Sequence, residues 1–145
     1  HQPPDEIVNR LNHEAGMKGL TSSDGDMGVI LEQVQQEDSQ SQFAVELFIY
    51  RILKYVGAYD FVLGGAQAYV FGGGISEHTT EIIAGVFENN YFPVSLELSD
   101  HISLSPPITR MTRADSERHV YTAFIDEEKT IAENIVLTLT SDIKK

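Results

Sequence analysis

Ala68-Tyr69-Val70-Phe71-Gly72-Gly73-Gly74-Ile75-Ser76-Glu77-His78 reads as a buried strand that runs into three glycines and then into a helix. A strand that stops in glycine does so because something comes close to its backbone. Without a Cβ, glycine lets a flat ring or a phosphate touch the main chain, and it opens positive φ. The helix predicted next, from Thr79 to about Asn89, adds free N–H groups at its start that attract anions. The same residues also suit a tight strand-to-helix connection with no ligand, because glycine is a common structural punctuator. The spacing of Gly72, Gly73 and Gly74 does not fit the G-x-G-x-x-G dinucleotide fingerprint, and the chain contains no G-x-x-x-x-G-K-[ST] segment.

Upstream, the pattern is helical. Pro3-Pro4-Asp5 opens a helix carrying Ile7, Val8 and Leu11 that stops near Gly16. Residues 17 to 28 read as a loop, either a functional one or a long polar turn, and a short helix is expected from Val29 to Gln35. Glu37 to Gln42 is a polar break and helix start. The longest helix then runs from Phe43 to about Leu63. At 100° per residue, Val45, Phe48, Ile49, Ile52, Tyr55, Val56, Tyr59, Val62 and Leu63 share an arc of about 140°. So wide a stripe serves core packing or, over part of its length, a partner surface. Charged Glu46, Arg51, Lys54 and Asp60 rule out a membrane span. Gly64-Gly65 ends the helix.

Downstream, Tyr91 to Leu98 alternates like a strand. Pro106-Pro107 breaks Ile102 to Arg110, Arg113 to Arg118 is a charged turn, and His119 to Phe124 is a second good strand. Asp126 is placed to cap a final helix, with Glu127 and Glu128 in its first turn and Ile131, Ala132, Ile135, Val136 and Leu139 as its expected buried stripe. Helices alternating with strands that feed them indicate an α/β layered domain.

Composition bounds the function. The 145 residues suffice for one domain with a real core. The sequence has no cysteine, which excludes disulfides, thiolate metal sites and a cysteine nucleophile, and it favours an intracellular setting, with a cytoplasmic location as the expectation. A formal net charge of -12 argues against nucleic acid and anionic membranes as partners. The five histidines form no short-range zinc pair.

Three segments carry a resemblance. Phe48-Ile49-Tyr50-Arg51-Ile52-Leu53-Lys54-Tyr55-Val56-Gly57-Ala58-Tyr59 is similar to the acetate kinase helix F-x-Y-R-[IV]-x-K-x-[IV]-G-[AS]-Y. Val70 to His78 resembles that family's V-F-[TG]-[AG]-G-I-G-E-N loop. Ser23-Asp24-Gly25-Asp26-Met27-Gly28 resembles, more loosely, its G-[LVI]-S-S-D-[MF]-R loop. A fourth likeness is Phe124 to Ala132 against P-T-[ND]-E-E-x-x-I-A. The order is the same, and nearly the whole chain is covered.

The resemblance implies an α/β fold of the ribonuclease H-like, actin-like ATPase type, a central sheet with flanking helices. It further implies that residues 1–145 are the C-terminal nucleotide-binding lobe of a two-lobe kinase whose N-terminal lobe is absent here. Such kinases move the γ-phosphoryl of ATP to acetate, or to another short-chain carboxylate, giving ADP and acetyl phosphate. Carried over, Gly74, Ile75 and His78 would meet adenine, Gly73 would belong to the same cofactor-binding loop, Asp26 and Met27 would help enclose adenosine, and Glu127 would serve Mg²⁺. Glycine and Ile75 suit a purine, and a carboxylate suits Mg²⁺. Glu127 equally suits a helix dipole, and His78 a helix cap. No catalytic residue is assigned within the chain, and a homodimer is implied. The departures are Gly28 for the loop arginine, Ser76 for the second loop glycine and His78 for the asparagine. From Gly64 through Thr109 there is no Lys or Arg. A non-catalytic nucleotide sensor and a pure assembly domain are the other function classes this leaves open.

Overall fold

The computed structural model describes residues 2–74, 80–88, 91–97, 102–105 and 108–142. Helix α1 (Pro4–His13) begins on a proline, whose missing N–H would have no helical partner at that position anyway. The stretch expected to be loop contains a short helix, α2 (Met17–Leu20). The loop that remains is a series of side-chain turns: Ser23 Oγ accepts from the Gly25 N–H at 3.2 Å and Asp24 Oδ1 from the Asp26 N–H at 3.1 Å. Helix α3 (Met27–Gln35) starts two residues before the expected Val29, because Asp26 Oδ1 accepts the Val29 N–H at 3.1 Å and caps it. Helix α4 (Ser39–Val62) likewise starts before the expected Phe43, since Asp38 Oδ2 accepts the Ser41 N–H at 2.8 Å. The Ser41 hydroxyl first, and this backbone N–H after it, hold the Asp38 carboxyl below the usual carboxylate range.

Strand β1 (Ala68–Gly72) leads into the glycine loop, and α5 (Thr80–Phe87) follows. The hairpin β2 (Ile102–Ser105) and β3 (Ile108–Arg110) comes next, then β4 (His119–Ala123) and α6 (Glu127–Asp142). The prolines expected to break this hairpin, Pro106 and Pro107, lie outside the described residues, as does Leu98. The sheet order is β1-β4-β3-β2: β1 runs parallel to β4, and the other pairs are antiparallel. Residues 91–97 do not form the expected strand. Val94 bridges Arg118 and Leu96 bridges Thr112 only singly. Pro93 has no N–H to offer, and the Ser95 N–H goes to Ser116 Oγ at 2.9 Å instead of to a ladder.

One face of the sheet carries the core. Tyr69 of β1 and Val120 of β4 pack with Ile83, Val86 and Phe87 of α5, beside Phe92 and Met111. The rings of Tyr69, Phe71 and Phe92 lie 5.1 to 5.9 Å from that of Phe87, tilted or edge-on, which suits their quadrupoles. A second buried cluster joins Met27 and Ile30 of α3, Val45 of α4 and Ile82 of α5. The two apolar stripes fall short of full burial. The stripe of α4 is covered only in part: Tyr55, Tyr59, Val62 and Leu63 are exposed, because the helix runs on past the elements that cover its first half. The stripe of α6 is not buried either, with Ile131 59% and Ile135 54% exposed and Ala132 and Val136 also exposed, because among the described residues no layer lies across it. The side chain of Leu139 lies outside the described residues. No helix among the described residues is long and apolar enough to cross a membrane.

Candidate functional site

The parallel pairing of β1 with β4 creates the site. Their register sets Gly72 opposite Ala123, so Gly73-Gly74 and Phe124-Ile125-Asp126-Glu127 leave the sheet at the same edge. In open α/β sheets, ligands bind outside the carboxyl ends of parallel strands, where loops diverge and leave a crevice.

The three glycines have different work. A Cβ on Gly72 would run into the side chain of Ile125, so this glycine serves close packing. Gly73 has φ of 94°, a left-handed backbone that favours glycine. Among the described residues, Cβ atoms on Gly73 or Gly74 would meet nothing within 4 Å, so no described side chain fills the space beside the main chain at these two positions. Ile75 and His78 lie outside the described residues, as do Ser76 and Glu77.

Glu127 is the first residue of α6 and exposed, with its N–H on the Ile125 carbonyl at 3.1 Å. Asp126 caps the helix, accepting the Lys129 N–H at 2.8 Å. Among the described residues no three carboxylates or histidines gather to hold a metal. One carboxylate still fits Mg²⁺, which keeps several waters and is commonly held by one or two carboxylates plus substrate phosphates.

Asp26 and Met27 reach the region by another route. Asp26 is exposed at the cap of α3. Met27 is 7% exposed and belongs to the cluster that includes Ile82, in the first turn of α5. The α3 cap is thereby tied to the helix that follows the glycine loop, and the Met27 side chain is committed to packing.

Sequence reasoning overlooked a polar cluster at the opposite end of the same strands. Asp60, in the last turn of α4, accepts from the Ala66 N–H at 2.7 Å, from the Tyr69 hydroxyl at 2.8 Å and from Arg118 Nη1 at 2.9 Å. Arg118 Nη1 also lies 2.9 Å from Tyr69 Oη. The Ala66 N–H is the leading reason that the Asp60 carboxyl sits below its ordinary range, with Tyr69 and Arg118 adding to it. Burial raises the Tyr69 phenol. The available signal was Tyr69 itself, since a tyrosine inside an apolar strand needs a partner for its hydroxyl.

The acetokinase family profile matches residues 1–133. The chain belongs to the acetokinase family. It is 35% identical over 127 residues to an acetate kinase of Sulfurovum sp. (strain NBC37-1), a match covering 86% of this chain and 32% of that protein. It is also 35% identical over 133 residues to one of Lactiplantibacillus plantarum, covering 91% and 33%. This acetokinase-family chain thus spans about a third of the length of the curated relatives it matches. Among solved structures it resembles the acetate kinase from Entamoeba histolytica, with a TM-score of 0.79, 21% identity, and 90% of this chain on 35% of that one. It also resembles a propionate kinase from Francisella tularensis subsp. tularensis SCHU S4, with a TM-score of 0.75, 24% identity, and coverage of 88% and 32%. The fold is of the actin-like ATPase type shared by these kinases.

Proposed function

We propose that this chain is the nucleotide-binding lobe of an acetate kinase, holding ATP or ADP at the edge where β1 and β4 end. The observation that carries the reading is the placement of open Gly73 and Gly74 at the same sheet edge as Glu127. In this reading the adenine lies along Gly73, Gly74 and Ile75 toward His78. Asp26 lies on the adenosine side, and Met27 anchors that loop through the core. Glu127 faces Mg²⁺ carried by the phosphates.

The whole protein would pass a phosphoryl group between ATP and acetate or another short-chain carboxylate. A carboxylate is already a nucleophile, so the transfer depends on positioning and on positive charge around the moving group. Cationic side chains are few near this edge: the sequence has no Lys or Arg from Gly64 through Thr109, Arg118 is engaged by Asp60 at the far end of the strands, and Lys129 in the first turn of α6 lies 4.0 Å from Glu133. The lobe alone is therefore proposed to be inactive. The uncovered faces of α4 and α6 support a larger assembly, with the rest of the kinase and a second copy as the proposed partners. A cytoplasmic setting belongs to the same proposal. Gly28, standing in place of the family's loop arginine, favours a second reading in which the nucleotide is sensed and not turned over.

Titration calorimetry with ADP and Mg²⁺ tests the site. Gly74→Val fills the open space without touching the core, so binding should be lost while the melting temperature holds. Equal affinity in the variant would place the nucleotide elsewhere.

A further inference from the structure

Strand β1 pairs with β4 in one register, Tyr69 opposite Val120 and Gly72 opposite Ala123, yet its sequence would fit a second one. Suppose β1 slips two residues along β4. The faces are preserved, because side chains alternate with a period of two. Phe71 then takes the place of Tyr69 in the aromatic core, and Gly74 takes the place of Gly72 against Ile125 without a clash. The outer face resists little, since Val70 is 67% exposed and its neighbours there are Ala68 and Gly72. The chief apolar loss is the Phe71–Phe87 ring contact at 5.9 Å. Two residues at about 3.3 Å each would draw the glycine loop roughly 6.6 Å back into the sheet, away from the end where Glu127 follows β4.

We propose that Asp60, Arg118 and the Tyr69 hydroxyl form a positioning clamp that selects the native register and thereby sets Gly73 and Gly74 beside Glu127. The proposal rests on the nucleotide-site reading of that edge. Tyr69 and Phe71 differ by one hydroxyl, and that hydroxyl is the group the clamp holds. Asp60 belongs to α4, Tyr69 to β1, and Arg118 immediately precedes β4, so all three elements meet at one carboxylate. Both strands are held again beside it: Asp60 takes the Ala66 N–H two residues before β1, and the His119 N–H donates to the Gln67 carbonyl at 3.1 Å. Gly65 completes the clamp. Its φ is 104°, and a Cβ there would come 2.8 Å from Arg118 Nη2, so the guanidinium needs a glycine beside it. Asp60 and Arg118 keep only 18% and 22% side-chain exposure, so water screens the pair little.

Cross-strand amide NOEs on the labelled chain read the register directly, and titration with ADP and Mg²⁺ reads the site. The wild type should show one register, with Tyr69 beside Val120. Tyr69→Phe keeps the ring and the fold, yet should add cross peaks shifted by two residues and weaken ADP at least fivefold. Asp60→Asn should act in the same direction. Tyr69→Phe combined with Phe71→Tyr moves the hydroxyl and should enrich the slipped register. A single native register with unchanged ADP affinity in all three variants overturns the clamp and leaves the cluster a merely stabilising one. If the wild type binds no ADP, the nucleotide reading fails while the NOEs still decide the clamp.

Discussion

Helices α5 and α6 stand in the same local context and meet opposite fates. Each follows one of two parallel strands, and each carries branched apolar residues along one side. α5 buries Ile82, Ile83, Ala84, Val86 and Phe87. α6 leaves Ile131, Ile135 and Val136 more than half exposed. Periodicity gives both helices an apolar stripe, but burial requires a facing layer. α4 and the sheet supply one for α5; among the described residues nothing comparable lies across α6. Burial of an amphipathic face is thus a property of the pair of surfaces, and half of a pair does not reveal whether the other half is in the same chain.

The largest expected effect sharpens that contrast. Phe87→Ala removes the ring on which three other aromatics converge and should cost about 3–5 kcal/mol in urea unfolding. The comparison would break if the loss fell below that of an ordinary surface change. Next comes acid sensitivity on the α5 side of the molecule, where the Asp60 carboxyl is held below its usual 3.8 by the Ala66 N–H, Tyr69 and Arg118. A lowered folded-state value means the stabilisation is complete above the unfolded-state value and is lost as pH falls through the folded one. The melting temperature should therefore drop as pH falls below about 4, and Asp60→Asn should flatten this limb while lowering the plateau. Smaller still is Asp126→Ala, which removes the cap of α6. Its typical cost of about 1 kcal/mol should appear as lost helical ellipticity, with little change in the cooperative transition. Smallest is Ile131→Ser with Ile135→Ser, expected to stay within about 0.5 kcal/mol per site because those side chains already face water. A strong destabilisation there would mean that α6 packs against something in solution.

The site was partly legible for the same physical reason. A strand ending in Gly72-Gly73-Gly74 announces its own exit from the sheet, and Asp126 before an apolar helix announces a cap; both signals are local. Asp26 was also readable as a loop residue, although its capping bond starts α3 earlier than the apolar pattern indicates. Asp60 and Arg118 were not legible as partners, because they are separated by 58 positions and each, taken alone, resembles an ordinary surface charge.

From its sequence alone, this protein's longer helices apart from their exact starts, its strand-to-glycine turn and its kinship with acetate kinases were determined, because propensity, capping and periodicity act within a few residues. Only the tertiary structure decided that β1 lies parallel to β4, that Gly72 serves Ile125 while no described side chain fills the space at Gly73 and Gly74, and that Asp60 joins three elements. Those outcomes depend on which distant surfaces meet, and a contact between distant surfaces leaves no periodic trace in the chain.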